Sequence, residues 1–184
     1  MSILLKKDFG KDPSLITTLT AVAVMKAIEK VTGRKAQVKW VNDIILNGKK
    51  VCGILTESTF TGEGFFSVLG IGINLYSPKE DFPDEIKNIA GSVFEFSQEN
   101  LMNRLIAEVI NIFMEYFENI EKKTFLQRYR QRSFILGKDI NVIKNDAVKP
   151  AKALEIDDEF HLLVEYNDKT QELLTSGEVS IRTV

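Results

Sequence analysis

One cysteine, one histidine, one tryptophan and four prolines are all that 184 residues contain of those types, and each scarcity removes a class of protein. A lone Cys52 closes no disulfide within the chain, which points to a reducing compartment and a cytoplasmic location. Cys52 and His161 together fall short of a zinc cluster. Magnesium, held by a carboxylate and delivered with a nucleotide, stays open. No apolar run approaches the ~20 residues that span a bilayer; the most apolar stretch, 19–28, is short and interrupted by Lys26. At the N-terminus the lysines follow a short apolar run, the reverse of a secretory leader. Charge of neither sign is in excess: the net charge of −2 argues against a general nucleic-acid binder, which needs a basic face. What is present suits a folded domain, or a domain with a small appendage: 44% hydrophobic and 27% charged residues.

The pattern begins with a short apolar strand over 2–6. A helix follows, with Asp12 as N-cap, Pro13 at the first helical position and Gly33 just past the end. Its apolar rows (Leu15, Leu19, Val22, Met25; Val24, Ile28, Val31) are broad enough to lie against a sheet. Strands are predicted over 36–40, 43–46 and 50–57, the last two joined by Asn47-Gly48, a strong short hairpin signal. Another strand over 65–73 ends in Gly70-Ile71-Gly72-Ile73-Asn74. Residues 76–95 are irregular, a long helix covers 98–120, and a short basic helix covers 124–131. After Gly137 short strands are predicted over 138–143, 151–156, 160–166, 171–175 and 178–182, which suggests a second, smaller β-barrel domain.

Reactive side chains concentrate around the hairpin: Lys39, Trp40, Asn42, Asp43, Lys49 and Lys50. A tight turn can bring the Lys50 ammonium and the Asp43 carboxylate to one end of a sheet, the cation for a phosphate or carboxylate oxygen, the anion for an amine or metal. The alternative is a solvated hairpin whose lysines protect a strand edge. Gly70 and Gly72 permit close backbone approach, with Asn74 as a hydrogen-bonding group; a plain bulge with a capping asparagine is the alternative. The pattern is not the dinucleotide fingerprint, since the third glycine is missing. His161 is expected on an apolar strand without a partner, Cys52 in the core, and Arg128, Arg130 and Arg132 at a solvated helix end.

Taken in order, three segments resemble the biotin protein ligases: Lys39-Trp40-Val41-Asn42-Asp43 with its downstream Lys50 and Gly53, then Gly70-Ile71-Gly72-Ile73-Asn74, then Ser176-Gly177-Glu178-Val179-Ser180-Ile181-Arg182. The resemblance implies an α/β (α+β) fold of the class II synthetase type. A mixed sheet with helices packed on it would occupy 1–135, and a small β-barrel of the Src-homology-3 type 136–184. It implies activation of biotin by ATP to biotinyl-5′-AMP, then transfer to a lysine of a biotin carboxyl carrier protein, with magnesium assisting. By that resemblance Lys50 and Asp43 are catalytic. Lys50, Gly53, Ile54, Gly70 and Gly72 line the biotin site, while Trp40, Asn42, Asn74, Glu178 and Arg182 contact the nucleotide.

Two departures stand out. Val41 takes the place of the family's usual proline, and no Gly-Arg-Gly-Arg loop precedes the first strand. Such a loop supplies cationic hydrogen bonds, each worth ~1.5–3 kcal/mol. The expectation is a chain starting in the middle of the family's catalytic domain, slow or inactive as an isolated ligase. Its sheet would have an exposed face or edge that favours a homodimer. The alternative is a non-catalytic module that binds biotin, biotinyl-5′-AMP or the carrier protein. A repressor half is disfavoured because no winged-helix DNA-binding segment is recognised, and a lipoate-attaching relative because the closing Ser-Gly-Glu segment better fits the biotin branch.

Overall fold

In the computed structural model the described residues are 1–6, 14–62, 64–78, 80, 82–97, 99–175 and the backbone of 180–183. The first sheet has the order β1-β5-β4-β3-β2, built from β1 (Ser2–Leu5), β2 (Gln37–Lys39), β3 (Asp43–Leu46), β4 (Lys49–Thr61) and β5 (Gly64–Ile73). All four of its pairings are antiparallel, so the expected mixed sheet is corrected. Parallel backbone contacts occur only as isolated bridges among the described residues: Val38 with Ser133, Lys50 with Ala90, Tyr76 with Phe94. The antiparallel order follows from the connections. β3 and β4 are joined by Asn47 (φ 53°) and Gly48 (φ 78°), two left-handed residues that suit a tight hairpin and leave no crossover.

Helix α1 (Ser14–Thr32) is buried on nearly every side from Ile16 to Ile28, threonines included. It lies between the sheet and helix α2 (Leu101–Phe117), so two neighbours cover what would otherwise be its polar face. Its threonines tolerate this because their hydroxyls are satisfied: Thr18 and Thr20 donate to the carbonyls of Ser14 and Ile16, and Thr17 bonds Thr56 of β4 at 2.7 Å. Gly33 (φ 72°) ends the helix, its N–H donating to the Glu29 carbonyl. The expected Asp12 cap and Pro13 start lie outside the described residues. α2 is amphipathic, burying Leu101, Leu105, Val109, Ile112 and Phe113.

A short helix α3 (Leu126–Gln131) leads into the second sheet, β6 (Asp139–Lys144), β7 (Ala147–Ile156), β8 (Leu162–Tyr166), β9 (Gln171–Leu174) and β10 (Ser180–Thr183). It is antiparallel in the order β10-β6-β7-β8-β9. Closure into the expected barrel needs β9 against β10, a pairing not found among the described residues. Buried side chains form one cluster running through both sheets. The arginines of 128–132 are not a solvated helix end. Arg128 and Arg132 both pair with Glu29 of α1, and Arg130 pairs with Asp158 and donates to the Ile156 carbonyl. His161 precedes β8 and meets Asp157 at 3.1 Å, where no partner had been expected. Among the described residues no helix is long and apolar enough to cross a membrane.

Candidate functional site

The register of the first sheet places Lys39 opposite Asp43, Asp43 opposite Gly53, and Gly53 opposite Gly72. Directly paired residues share a face, so these four form one row on the side of the sheet away from α1. Lys50 joins them through an irregularity. Ile44 faces Cys52 but Ile45 faces Lys50, so Val51 is the extra residue of a bulge. A bulge re-aims the side chains beside it. The Lys50 side chain turns back over Gly53, and its Nζ stands 2.5 Å from Asp43 Oδ1. A Cβ on Gly53 would lie 3.4 Å from both Cε and Nζ of Lys50. The bulge anticipated near Gly70–Asn74 is not there: β5 pairs with β4 without a shift from Gly64 to Ile73.

Three open clefts adjoin this ion pair. One of about 550 Å³ is lined by Lys50, Cys52, Gly53, Gly72, Asn74 and the 86–90 segment. A second, of about 450 Å³, spreads over Asn42, Asp43, Gly53, Ile54, Gly70 and Gly72. A third, of about 390 Å³, includes Lys39, Asp43, Lys50 and Phe134. Lys50 borders all three. Their sizes are those of small-molecule sites, and glycines on the floor let a ligand reach the sheet backbone.

Of the residues singled out from the sequence, the structure brings together Asp43, Lys50, Gly53, Ile54, Gly70, Gly72, Asn42 and Asn74 around these clefts. Asn42 and Asn74 have structural duties as well. The Asn42 amide donates to the Ile54 carbonyl at 2.7 Å, and the Asn74 amide to the Gly91 carbonyl at 3.0 Å. Trp40 is placed elsewhere: it is 5% exposed, its indole N–H donates to the Phe160 carbonyl, and it lines none of these clefts. Glu178 and the Arg182 side chain lie outside what is described. Ile86, Ile89 and Ala90 were missed, because they fall in the stretch read only as irregular. Two isoleucines in an otherwise polar loop are the signal that was available; they are 39% and 62% exposed and line the first cleft.

Cys52 sits under the site. Burial pushes its thiol up to about 12, and the Asp43 carboxylate adds to the shift. It is a core residue rather than a nucleophile. No group of three metal-ligating side chains occurs among the described residues; Asp43 is the carboxylate at the clefts.

Residues 1–74 match the model of the Biotin/lipoate A/B protein ligase family. The bifunctional ligase/repressor BirA of Bacillus subtilis (strain 168) is 36% identical over 183 residues, covering 96% of this chain and 56% of its own length. Biotin--[acetyl-CoA-carboxylase] ligase of Paracoccus denitrificans is 43% identical over 63 residues, 33% of this chain and 26% of its own length. The chain thus spans about half the length of the Bacillus relative, at 56%. Among solved structures, biotin protein ligase from Aquifex aeolicus in complex with biotin and ATP is similar at a TM-score of 0.78 and 20% identity, covering 100% of this chain and 77% of that one. At that identity the likeness establishes a shared fold.

Proposed function

From the chain's membership of the biotin protein ligase family, we propose that the clefts around Lys50 join biotin to AMP and pass the biotinyl group to a lysine of a biotin carboxyl carrier protein. One observation carries this reading: the Lys50 ammonium, 2.5 Å from Asp43, borders all three clefts above a floor of glycines. In the first step a biotin carboxylate oxygen attacks the α-phosphorus of ATP and pyrophosphate leaves. Two anions must meet, and negative charge gathers in the transition state; an ammonium already held in place lowers that cost. In the second step the acceptor amine attacks the acyl carbon, the anhydride C–O bond breaks, and AMP leaves with the electron pair.

Asp43 is suited to orient the incoming amine in that second step, its carboxylate held in place by Lys50. Gly53, Ile54, Gly70 and Gly72 would lie under the biotin, and Asn42 and Asn74 toward the nucleotide, a role the family resemblance extends to Glu178 and Arg182. Trp40 is better read as an anchor between the sheets than as a nucleotide contact. The alternative role for Asp43 is magnesium, which takes one carboxylate completed by phosphate oxygens and water; Asp43 would then hold the ion instead of the amine. Such an ion supplies charge neutralisation on the phosphates when bound.

Calorimetry with biotinyl-5′-AMP tests the proposal. The 184-residue chain should bind it, and Lys50→Met should weaken binding by about tenfold or more, as expected for a lost charge-assisted contact. Equal binding by both would remove Lys50 from the site. The sequence contains no Gly-Arg-Gly-Arg run. That favours a second reading for these residues assayed alone: a binder of biotinyl-5′-AMP that turns over slowly. Transfer of label to a carrier domain at ordinary rates would exclude it. The outer sheet face bears Leu4, Leu55 and Val68 at 67%, 61% and 44% exposure, which supports the expected self-association. A monomer by light scattering at high concentration would count against that.

A further inference from the structure

Residues 83–91 do more than wall the cleft of about 550 Å³. β4 pairs with β5 only from Cys52 onward, and the Val51 carbonyl is already taken by the Asn74 N–H. The Lys49–Lys50 end of β4 therefore has no β5 beside it. The loop takes that place. Lys50 donates its N–H to the Ile89 carbonyl at 2.7 Å and accepts from the Gly91 N–H at 2.9 Å, a short parallel bridge centred on Ala90. The Lys49 ammonium adds a tie to the Lys87 carbonyl at 2.9 Å, and the Gly91 carbonyl receives the Asn74 side-chain amide.

On the opposite edge of the same residues the ladder is bulged at Val51, where strand pairing is locally disrupted. The Lys50 backbone is thus fixed by the loop as much as by the sheet. Gly91 is where the loop comes closest. A Cβ there would stand 2.8 Å from Lys49 Cβ and 3.4 Å from its Cδ. Lys49 Cβ is one bond from the strand backbone and cannot swing aside as a side-chain tip can. Either the loop or the strand has to move.

We propose that Gly91 is a positioning residue for Lys50: its missing side chain lets the loop lock onto β4 and hold the ammonium above Gly53 beside Asp43. The proposal rests on the functional reading above only for the choice of ligand. Gly91→Ala inserts one methyl group between strand and loop and should weaken biotinyl-5′-AMP binding by about tenfold, the scale of modest overpacking. Removing the opposing Cβ relieves the clash, so the G91A/K49G pair should recover most of the affinity. G91A/K49A keeps that Cβ and should stay weak. A general loss of fold would not distinguish glycine from alanine at position 49 in this way. Amide exchange supplies a readout that needs no ligand: the Lys50 N–H should exchange faster in G91A and be protected again in G91A/K49G. Unchanged affinity and unchanged Lys50 exchange in G91A would overturn the proposal, as would equal recovery by K49G and K49A. If the unaltered chain does not bind biotinyl-5′-AMP, the functional reading falls, and exchange at Lys50 still decides the role of Gly91.

Discussion

A Cβ on Gly53 would already be in contact with the ion pair, 3.4 Å from Lys50 Nζ and 3.8 Å from Asp43 Oδ1, so a branched side chain would compete with the ammonium for space. Gly53→Val should displace the ion pair and weaken adenylate binding by at least the tenfold expected for Lys50→Met, with little loss of stability; calorimetry and thermal melting read the two effects separately. Cys52 offers a pH prediction. Its thiol rises from 9.0 to about 12 on folding, so the folded state holds the proton where the unfolded chain has lost it. The stabilisation is complete below about pH 9 and is lost as pH rises toward 12. A shift of that size corresponds to about 4 kcal/mol when fully titrated. Cys52→Ala should therefore flatten the fall in melting temperature between pH 8.5 and ~10.5, although Tyr129, also raised by burial, keeps part of the slope in both proteins. An unaltered slope would show that the thiol titrates normally. The residue types at this site were legible because Lys50, Asp43 and the glycines need particular chemistry or space. The surroundings of Trp40 were not legible, because an indole looks the same in sequence whether or not its N–H meets a buried carbonyl such as that of Phe160.

Hairpin, helix and strand order were readable where they are local. Asn47-Gly48 announced the β3–β4 turn, and Gly33 the end of α1. The bulge at Val51 was not, because register belongs to a strand and its partner together. Nor was the 83–91 loop, whose role depends on the gap that β5 leaves beside Lys50. The arginines near α3 show the same limit. Helical position alone suggested solvent, whereas two of them meet on Glu29, 99 and 103 residues away in sequence. Glu29→Ala should leave Arg128 and Arg132 facing each other across a half-buried gap. All three are partly exposed, so solvent screening limits the cost to about 1–2 kcal/mol, read by urea titration. Restoring stability with a second change, Arg128→Leu, would show that the cost came from the uncompensated charge. Failure to restore any would point to lost packing by the arginine stems instead.

The two sheets meet through a small set of aromatic contacts. Phe160 stacks on Phe125 with centroids 5.4 Å apart and meets Tyr129 edge-on at 5.6 Å, while its carbonyl accepts the Trp40 indole N–H at 2.8 Å. The Tyr129 hydroxyl donates in turn to the Val41 carbonyl, so the turn ahead of Asn42 and Asp43 leans on residues that belong to the second sheet and α3. A division near residue 135, suggested by the change to short strands after Gly137 and by the family resemblance, would therefore separate strands and not cores: the buried cluster is continuous across it. Two outcomes follow for Phe160→Ala. If the halves fold as one, the variant should lose about 3–5 kcal/mol, the cost of a large buried aromatic, and still melt in a single transition seen alike by Trp40 fluorescence and far-ultraviolet dichroism. If the second sheet folds by itself, the two probes should separate, the strands after Gly137 melting at their own temperature. The hydrogen bond from Trp40 and the Arg130 tie from α3 favour the first outcome, because parting the halves would strand the buried indole N–H and break a half-buried arginine contact. The same coupling bears on the site, since a change at Phe160 should reach Asp43 through Val41 and weaken adenylate binding even though no atom of Phe160 lines a cleft. Unchanged affinity in a folded Phe160→Ala chain would show that the turn holds its shape without that support.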